Sequence, residues 1–139
     1  MRVVFDSNIL VAAVLFPGGR AEAAVSRILD GVDDLVISRP ILQEVLSVLS
    51  AKFSRDREEL SRVAVVLGEI GEIVEPSRRL SVFREEPGNR ILECAVEGKA
   101  ETIVTGGKRM LPVRQYEGIR LIPLAEYLEK PGGGRKRKT

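Results

Sequence analysis

The first ten residues, MRVVFDSNIL, place a short apolar run directly before three polar residues. Residues 3–5 are typical of a buried strand, and the polar trio that begins at Asp6 predicts the turn into a helix near Ile9. Open α/β sheets bind their ligands at the carboxyl ends of their strands, although an acid there can also simply cap the helix. The chain is therefore predicted to be an α/β protein in which other acids converge on Asp6.

Length and composition predict one soluble domain. The 139 residues are 44% hydrophobic and 30% charged, which suits a globular protein with its own core. No apolar run reaches the roughly 20 residues of a membrane span, and Asp6 interrupts the first run, which argues against a signal sequence. The single cysteine, Cys94, excludes an internal disulfide and suits a reducing compartment. We therefore expect a cytoplasmic protein without membrane contact.

The end of the chain has a different composition. Pro-Gly-Gly-Gly at 131–134 precedes four basic residues at 135–138. This change predicts a single domain over 1–130 and a flexible basic tail over 131–139. Such a tail attracts nucleic acid phosphates, although a disordered solubilising end accounts for it as well.

Two scarcities limit the chemistry and suggest the source. The chain has no histidine, so the commonest general base and transition-metal ligand are missing. It contains only two asparagines, Asn8 and Asn89, and two glutamines. Few heat-labile amides together with abundant Arg and Glu indicate a thermophilic source. Catalysis would have to use carboxylates, hydroxyls, the thiol or basic side chains.

Hydrophobic periodicity predicts strands that alternate with helices. Strands are predicted at 3–5, 35–37, 73–74, 102–104 and 119–122, and helices at 7–15, 20–29, 41–53, 56–70, 89–98 and 123–128. Ser38 and Asn89 are the predicted caps of two of these helices, and 76–86 is a polar connection. The alternation favours a parallel sheet with right-handed crossovers, covered on both faces.

Glu44 is the second acid of interest. On the predicted helix it lies on the same side as Ile41 and Val48, so it flanks the apolar stripe. A carboxylate in that position needs a partner, because an unpaired buried charge is costly. A metal ion would serve as the partner, and so would Arg20 or Arg39.

Four stretches of the chain together resemble the PIN-domain family. In order they are VFDSNIL, SRPILQEVLSVL with its glutamate, NRILECAVEGKAETIVTGGKRML and EGIRLIPLAEYL. They span nearly all of residues 2–128. The similarity is greatest to the toxin components of toxin–antitoxin systems, relatives of VapC-type ribonucleases.

This resemblance implies a three-layer α/β/α fold around a central, mostly parallel five-stranded sheet. It implies an acidic pocket that holds Mg²⁺ or Mn²⁺ and hydrolyses single-stranded RNA. It also implies an antitoxin protein as partner and a homodimer, for which the helices Arg20–Leu29 and Ile41–Ile70 are candidate surfaces.

The resemblance also assigns the site residues. Asp6 matches the first acid and Glu44 the second, and both are expected to be catalytic and to bind the metal. Polar residues expected to support them are Ser7, Asn8, Asn89 and Thr105.

Two further acids of the family are missing. Gly88 stands where relatives usually have an aspartate before the asparagine of the NRILECA helix, and Gly107 stands where they have one after the Thr-Gly of the fourth strand. Arg109 replaces another frequent acid. Because Mg²⁺ can be held by one or two carboxylates, one ion is more readily expected than two.

Other acids can substitute for the missing ones. Glu93 lies four residues after Asn89, on the same helical face, and is a candidate catalytic acid, although it can equally be a helix surface residue. Glu85 and Glu86 precede Gly88, and a rearranged loop would bring one of them inward.

Basic residues near the two glycines suggest a different role. Arg90, Lys108, Arg109 and Arg114 are candidate RNA contacts, although solvated surface charges are the simpler interpretation. Cys94 has no histidine to activate it and is not expected to be a nucleophile.

These observations leave three hypotheses. The first is a metal-dependent endoribonuclease of the toxin type with an incomplete acidic site and weak activity. The second is a catalytically silent PIN domain that binds RNA or an antitoxin-like partner. The third, an unrelated α/β ligand-binding domain in which Asp6 is only a cap, would make the order of the motifs a coincidence.

Overall fold

A computed structural model describes residues 1–131 of the chain. The strands are β1 (Arg2–Phe5), β2 (Asp34–Ser38), β3 (Gly71–Val74), β4 (Thr102–Val104), β5 (Gln115–Tyr116) and β6 (Ile119–Ile122). The helices are α1 (Ser7–Leu15), α2 (Arg20–Leu29), α3 (Arg39–Phe53), α4 (Arg57–Ile70), α5 (Glu86–Glu97) and α6 (Leu124–Leu128). The predicted basic tail falls, apart from Pro131, outside the described residues.

The strands form one sheet in the order β3-β2-β1-β4-β6-β5. Five of them are parallel, as predicted, and β5 pairs antiparallel with β6. The expected number of five strands was therefore one too low. Gln115 and Tyr116 are too short a run to show a strand pattern, and Glu117 and Gly118, both with positive φ, form the tight turn that pairs them with β6.

The centre of the sheet is β1, which hydrogen-bonds to β2 on one side and β4 on the other. Val3, Val4 and Phe5 are each at most 1% exposed. Successive side chains of a strand point to opposite faces, so helices cover both faces of β1. This confirms the α/β class with helical layers around a mostly parallel sheet.

The strand order also locates a topological switch point. The chain proceeds from β1 outward to β2 and β3, and then returns to β4 on the other side of β1. In open α/β sheets, ligands bind in the crevice where the strand order reverses. Asp6 follows β1 at this crevice, its N–H donates to the Val104 carbonyl at 2.9 Å, and Thr105 follows β4.

Most helix bounds agree with the sequence to within three residues, and α5 differs in a way that matters. It begins at Glu86, so Asn89 lies inside the helix and does not cap it. Ser38 precedes α3, but its buried hydroxyl makes no capping bond and has no hydrogen-bond partner among the described residues. Within residues 1–131 no single helix is long and apolar enough to cross a membrane; α1 and α2 meet that test only as a pair bent by 102°.

A buried ionic cluster surrounds Asp33, which precedes β2 and is 5% exposed. Its carboxylate accepts hydrogen bonds from the Met1 amine at 2.8 Å and from the Tyr127 hydroxyl at 2.6 Å, and Arg27 Nε lies 3.4 Å away. Burial alone would raise the pKa of Asp33, but these hydrogen bonds and positive charges together hold it below its usual value. The cluster connects the first residue of the chain, α2, β2 and α6.

Candidate functional site

A cavity of about 480 Å³ opens at the carboxyl ends of β1 and β4. Asp6, Ser7 and Asn8 line it from the start of α1, and Glu44 lines it from α3. The two acids predicted to act together therefore face the same space. Residues from the start of α5 and from the loop after β4 complete its walls.

Asp6 is held rigidly at the rim of this cavity. Its Oδ2 accepts a hydrogen bond from the Thr105 hydroxyl at 2.6 Å, and its Oδ1 accepts one from the Asn8 N–H at 3.1 Å. The Ser7 hydroxyl lies 3.4 Å from the same Oδ1. Thr105 in turn accepts from the Gly107 N–H at 3.0 Å. Asp6 thus caps α1 and also presents a fixed carboxylate to the cavity, so the two interpretations of this residue are compatible.

Glu44 is half-buried on α3, facing the cavity. Among the described residues it forms no salt bridge, so neither Arg20 nor Arg39 serves as its partner. It also lines a smaller neighbouring cavity of about 160 Å³. A polar ligand of the main cavity therefore has access to the Glu44 carboxylate.

The two glycines that replace family acids both line the main cavity. A Cβ built on Gly88 would lie 3.1 Å from Cδ2 of Phe83 and 3.5 Å from Sδ of Met110. One on Gly107 would lie 3.3 Å from the Thr105 hydroxyl oxygen. An added Cβ at position 88 would thus be in tight contact with an aromatic ring.

The acids present fit one divalent cation and not two. No group of three or more His, Cys, Asp or Glu residues within 1–131 is placed to hold a metal ion. Asp6 and Glu44 provide two carboxylates in one cavity, which suffices for a Mg²⁺ or Mn²⁺ that keeps several of its waters. A second ion would need further bridging carboxylates at the glycine positions.

Three cations share the cavity with these acids: Lys52, Lys108 and Arg109. Arg109 is bound to Glu85 at 2.6 Å, and both side chains are at least half exposed. Glu85 therefore reaches the cavity wall, as the loop hypothesis allowed, but its charge is taken by Arg109. Sequence reasoning missed Lys52, although its spacing of eight residues from Glu44 on one helix places both on the same face.

The remaining predicted contacts lie elsewhere. Arg114 lines neither cavity, and Arg90 lines only the smaller one. Glu93 does not reach the acidic pocket: its carboxylate accepts from the Leu80 N–H at 2.7 Å and from Arg90 at 2.8 and 2.9 Å. Helical spacing identified its face correctly, but that face is turned to the chain before α5. The structure thus gives Glu93 a structural contact in place of the expected catalytic role, while the RNA contacts of Arg90 and Arg114 stay predictions.

That preceding segment, residues 75–85, is called the strap here. Three side chains of α5, four residues apart, accept its backbone N–H groups. Glu97 accepts from Ser77 at 3.0 Å, Glu93 accepts from Leu80, and Asn89 accepts from Val82 at 2.9 Å and Phe83 at 2.8 Å. Asn89 therefore supports the site indirectly, by holding the strap that brings Phe83 and Glu85 to the cavity.

We expect Glu93→Gln to lower the free energy of unfolding by about 1–3 kcal/mol, because a buried carboxylate that neutralises Arg90 is lost. Mn²⁺ binding should stay unchanged, since Glu93 does not line the cavity. Urea unfolding and Mn²⁺ titration measure the two effects, with Glu69→Gln at an exposed position of α4 as the matched control. Unchanged stability with weakened Mn²⁺ binding would show that Glu93 is an acid of the metal site.

Cys94 is excluded as a nucleophile on physical grounds. It is fully buried in α5, and burial raises the pKa of its thiol to about 12. The reactive thiolate is then a negligible fraction at neutral pH. This agrees with the expectation from sequence.

Comparison with known proteins gives consistent results. A PIN-domain family model matches residues 2–109. The chain is 25% identical over 118 residues to the uncharacterized protein MJ1680 of Methanocaldococcus jannaschii, covering 82% of this chain and 76% of that protein. Its structure is similar to that of VapBC2 from Rickettsia felis bound to a DNA fragment from their promoter, with a TM-score of 0.63, 17% identity, and coverage of 88% of this chain and 98% of that one. The chain belongs to the PIN-domain family.

Proposed function

We propose that the protein is a ribonuclease of the toxin–antitoxin type that binds single-stranded RNA in the main cavity and cleaves it slowly with one Mg²⁺ or Mn²⁺. The observation that carries this proposal is that Asp6 and Glu44 line one cavity at the switch point of the sheet. Membership of the PIN-domain family and the likeness to VapBC2 support it.

The residues of the cavity have different roles in the proposed reaction. Asp6, held by Thr105 and the start of α1, and Glu44 would hold the cation. When bound, such an ion neutralises phosphate charge and makes a bound water more acidic. Glu44 also accepts a hydrogen bond from the attacking water and orients it. Lys108 and Arg109 attract the RNA phosphates to the same cavity.

A second candidate function is RNA binding without cleavage. It is favoured by the composition of the cavity, where Lys52, Lys108 and Arg109 equal in number the acids Asp6, Glu44 and Glu85, and only two of these acids are left to hold a metal because Glu85 is paired with Arg109. A site with few carboxylates and several cations retains a phosphodiester without activating water. Both candidates share the same ligand, and they differ in whether the RNA is hydrolysed.

The deciding experiment is cleavage of a labelled single-stranded RNA with Mg²⁺ or Mn²⁺, with EDTA as the metal-free control. We expect slow, metal-dependent cleavage that Asp6→Asn abolishes while Asp30→Asn, at an exposed position, leaves it unchanged. Asparagine can still cap α1, so the fold should be preserved. RNA binding without any cleavage would decide for the silent domain, and absence of RNA binding would overturn both candidates.

A protein partner is part of the proposal. The likeness to VapBC2 supports an antitoxin-like partner, and apolar side chains exposed on α2 and α4 support a binding face. Leu29 is 62% exposed, Val65 57% and Val66 47%, beside a groove of about 370 Å³ between α1, α2 and α4. We also propose a cytoplasmic homodimer; a mass of 15.3 kDa by light scattering would exclude the dimer.

A further inference from the structure

Phe83 is fixed in the wall of the main cavity by its own backbone. Its N–H donates to Asn89 Oδ1 at 2.8 Å, and its carbonyl accepts from Asn89 Nδ2 at 2.8 Å. Asn89 is itself only 4% exposed. The backbone of Phe83 is thus hydrogen-bonded to α5, although the strap that contains Phe83 has no regular secondary structure.

The ring of Phe83 packs on Gly88. A Cβ at Gly88 would lie 3.1 Å from Cδ2 and 3.3 Å from Cγ of the ring, closer than ordinary van der Waals contact. A side chain at position 88 would therefore require the ring to shift by a few tenths of an ångström. The lack of a side chain at position 88 and the close approach of the Phe83 ring therefore occur together.

The rest of the cavity complements an aromatic ligand that carries phosphate. Val48, Ile91 and Met110 add apolar surface near the ring, while Lys108 adds positive charge and Arg109 is paired with Glu85. A volume of about 480 Å³ lies within the range of sites that enclose small ligands. Unpaired nucleobases stack on aromatic side chains, and their phosphates bind to cations.

We infer that Phe83 is a stacking platform for an unpaired nucleobase, and that a glycine at position 88 lets its ring lie close to α5. This inference rests on the proposed function, because it specifies how the same cavity takes RNA. The nucleobase lies on Phe83, and the phosphate next to it binds Lys108. The cavity thereby has a surface that binds a nucleobase in place of a family carboxylate, and this favours RNA binding over RNA cleavage.

The test uses RNA binding in EDTA, so that cleavage does not enter. Phe83→Leu should weaken binding of a short uridine oligonucleotide by roughly 5- to 150-fold, the range expected for one stacked base. Phe83→Tyr should bind like the wild type, because it keeps the ring. An oligonucleotide with abasic sites should bind all three proteins equally. Phe16→Leu, at a side chain that is 63% exposed at the end of α1, is the matched control.

A second measurement keeps the inference testable if the leucine variant folds poorly. The chain has no tryptophan, so Phe83→Trp introduces a unique fluorophore at the cavity. Its emission should be quenched by the oligonucleotide and more weakly by uridine 5′-monophosphate, but not by ribose 5-phosphate. Quenching by the mononucleotide alone would identify a free nucleotide as the ligand in place of RNA. Phe16→Trp should respond to none of them.

The outcomes separate this inference from the function on which it rests. Equal binding of the oligonucleotide by the wild type and Phe83→Leu, with no quenching of Phe83→Trp, would overturn the platform and leave RNA binding intact. Absence of RNA binding by the wild type both in EDTA and with Mg²⁺ would overturn the proposed function and the platform together.

Discussion

Asp33→Asn is expected to lower the free energy of unfolding by roughly 2–4 kcal/mol at neutral pH. The change leaves the Met1 amine and Arg27 without the carboxylate that neutralises them. Breaking a fully buried ion pair costs about 3–5 kcal/mol, and the lower figure applies because both partners keep some contact with water. The hydrogen bond from Tyr127 also loses its charged acceptor.

The stability lost in Asp33→Asn should decrease as the pH falls. The folded-state pKa of Asp33 lies below the ordinary value of 3.8, so its carboxylate stabilises the fold at every pH above that value. The contribution disappears as the pH falls through the lower folded-state pKa. Urea unfolding should therefore show a constant gap between wild type and Asp33→Asn near neutrality that narrows below about pH 4.

Asp34→Asn is the matched control, because Asp34 is the next residue and its side chain is exposed. It should change stability by less than about 0.5 kcal/mol at any pH. A gap for Asp33→Asn that is as small as that of the control, or one that widens in acid, would show that the buried cluster does not stabilise the charged form of Asp33.

The first acid of the site could be predicted because its signal is local. A strand buried on both faces must be apolar at consecutive positions, and the polar residue that ends it marks the carboxyl edge of the sheet. Asp6 carries that signal within ten residues. Helical spacing placed Glu44 beside the apolar stripe of α3, and the resemblance to the PIN-domain family assigned it to the site. The central strand and the acids Asp6 and Glu44 were therefore accessible from sequence.

The region around α5 could not be predicted in the same way. Periodicity identifies which residues share a face, but not what that face meets. Asn89, Glu93 and Glu97 bind backbone N–H groups of the strap, and backbone groups are present at every position whatever the side chain. The sequence thus contains no pattern that distinguishes a row of side chains that bind backbone groups from a row of metal ligands.

Phe83 and Lys52 show two further limits. Phe83 reaches the cavity because the strap folds back along α5, which is a tertiary contact without a sequence signal. Lys52 did have a signal, since Glu44 and Lys52 share one face of α3, but surface lysines are so common that the spacing alone carries little weight. The cations of the site were harder to identify than its acids for this reason.

Gly107→Asp is expected to tighten Mn²⁺ binding at least about tenfold, because the number of carboxylates sets the affinity of sites for hard cations. Position 107 lines the cavity, and a Cβ there lies 3.3 Å from the Thr105 hydroxyl oxygen and 3.6 Å from Cγ of Met110. The new side chain therefore fits after shifts of a few tenths of an ångström. Calorimetry with Mn²⁺ measures the affinity, and cleavage of single-stranded RNA measures the consequence.

Gly88→Asp should tighten Mn²⁺ binding less than Gly107→Asp unless Phe83 is changed with it, since its Cβ would lie 3.1 Å from the ring, closer than any contact at position 107. The matched control is Gly106→Asp, which adds the same charge one residue away, with open space around its Cβ and outside the cavity lining. Cleavage that rises in Gly107→Asp from a measurable wild-type rate would support a weakened ribonuclease. Cleavage that appears only in Gly107→Asp would support a silent RNA-binding domain. Equal Mn²⁺ affinity in Gly107→Asp and Gly106→Asp would show that Asp6 and Glu44 do not form the core of a metal site.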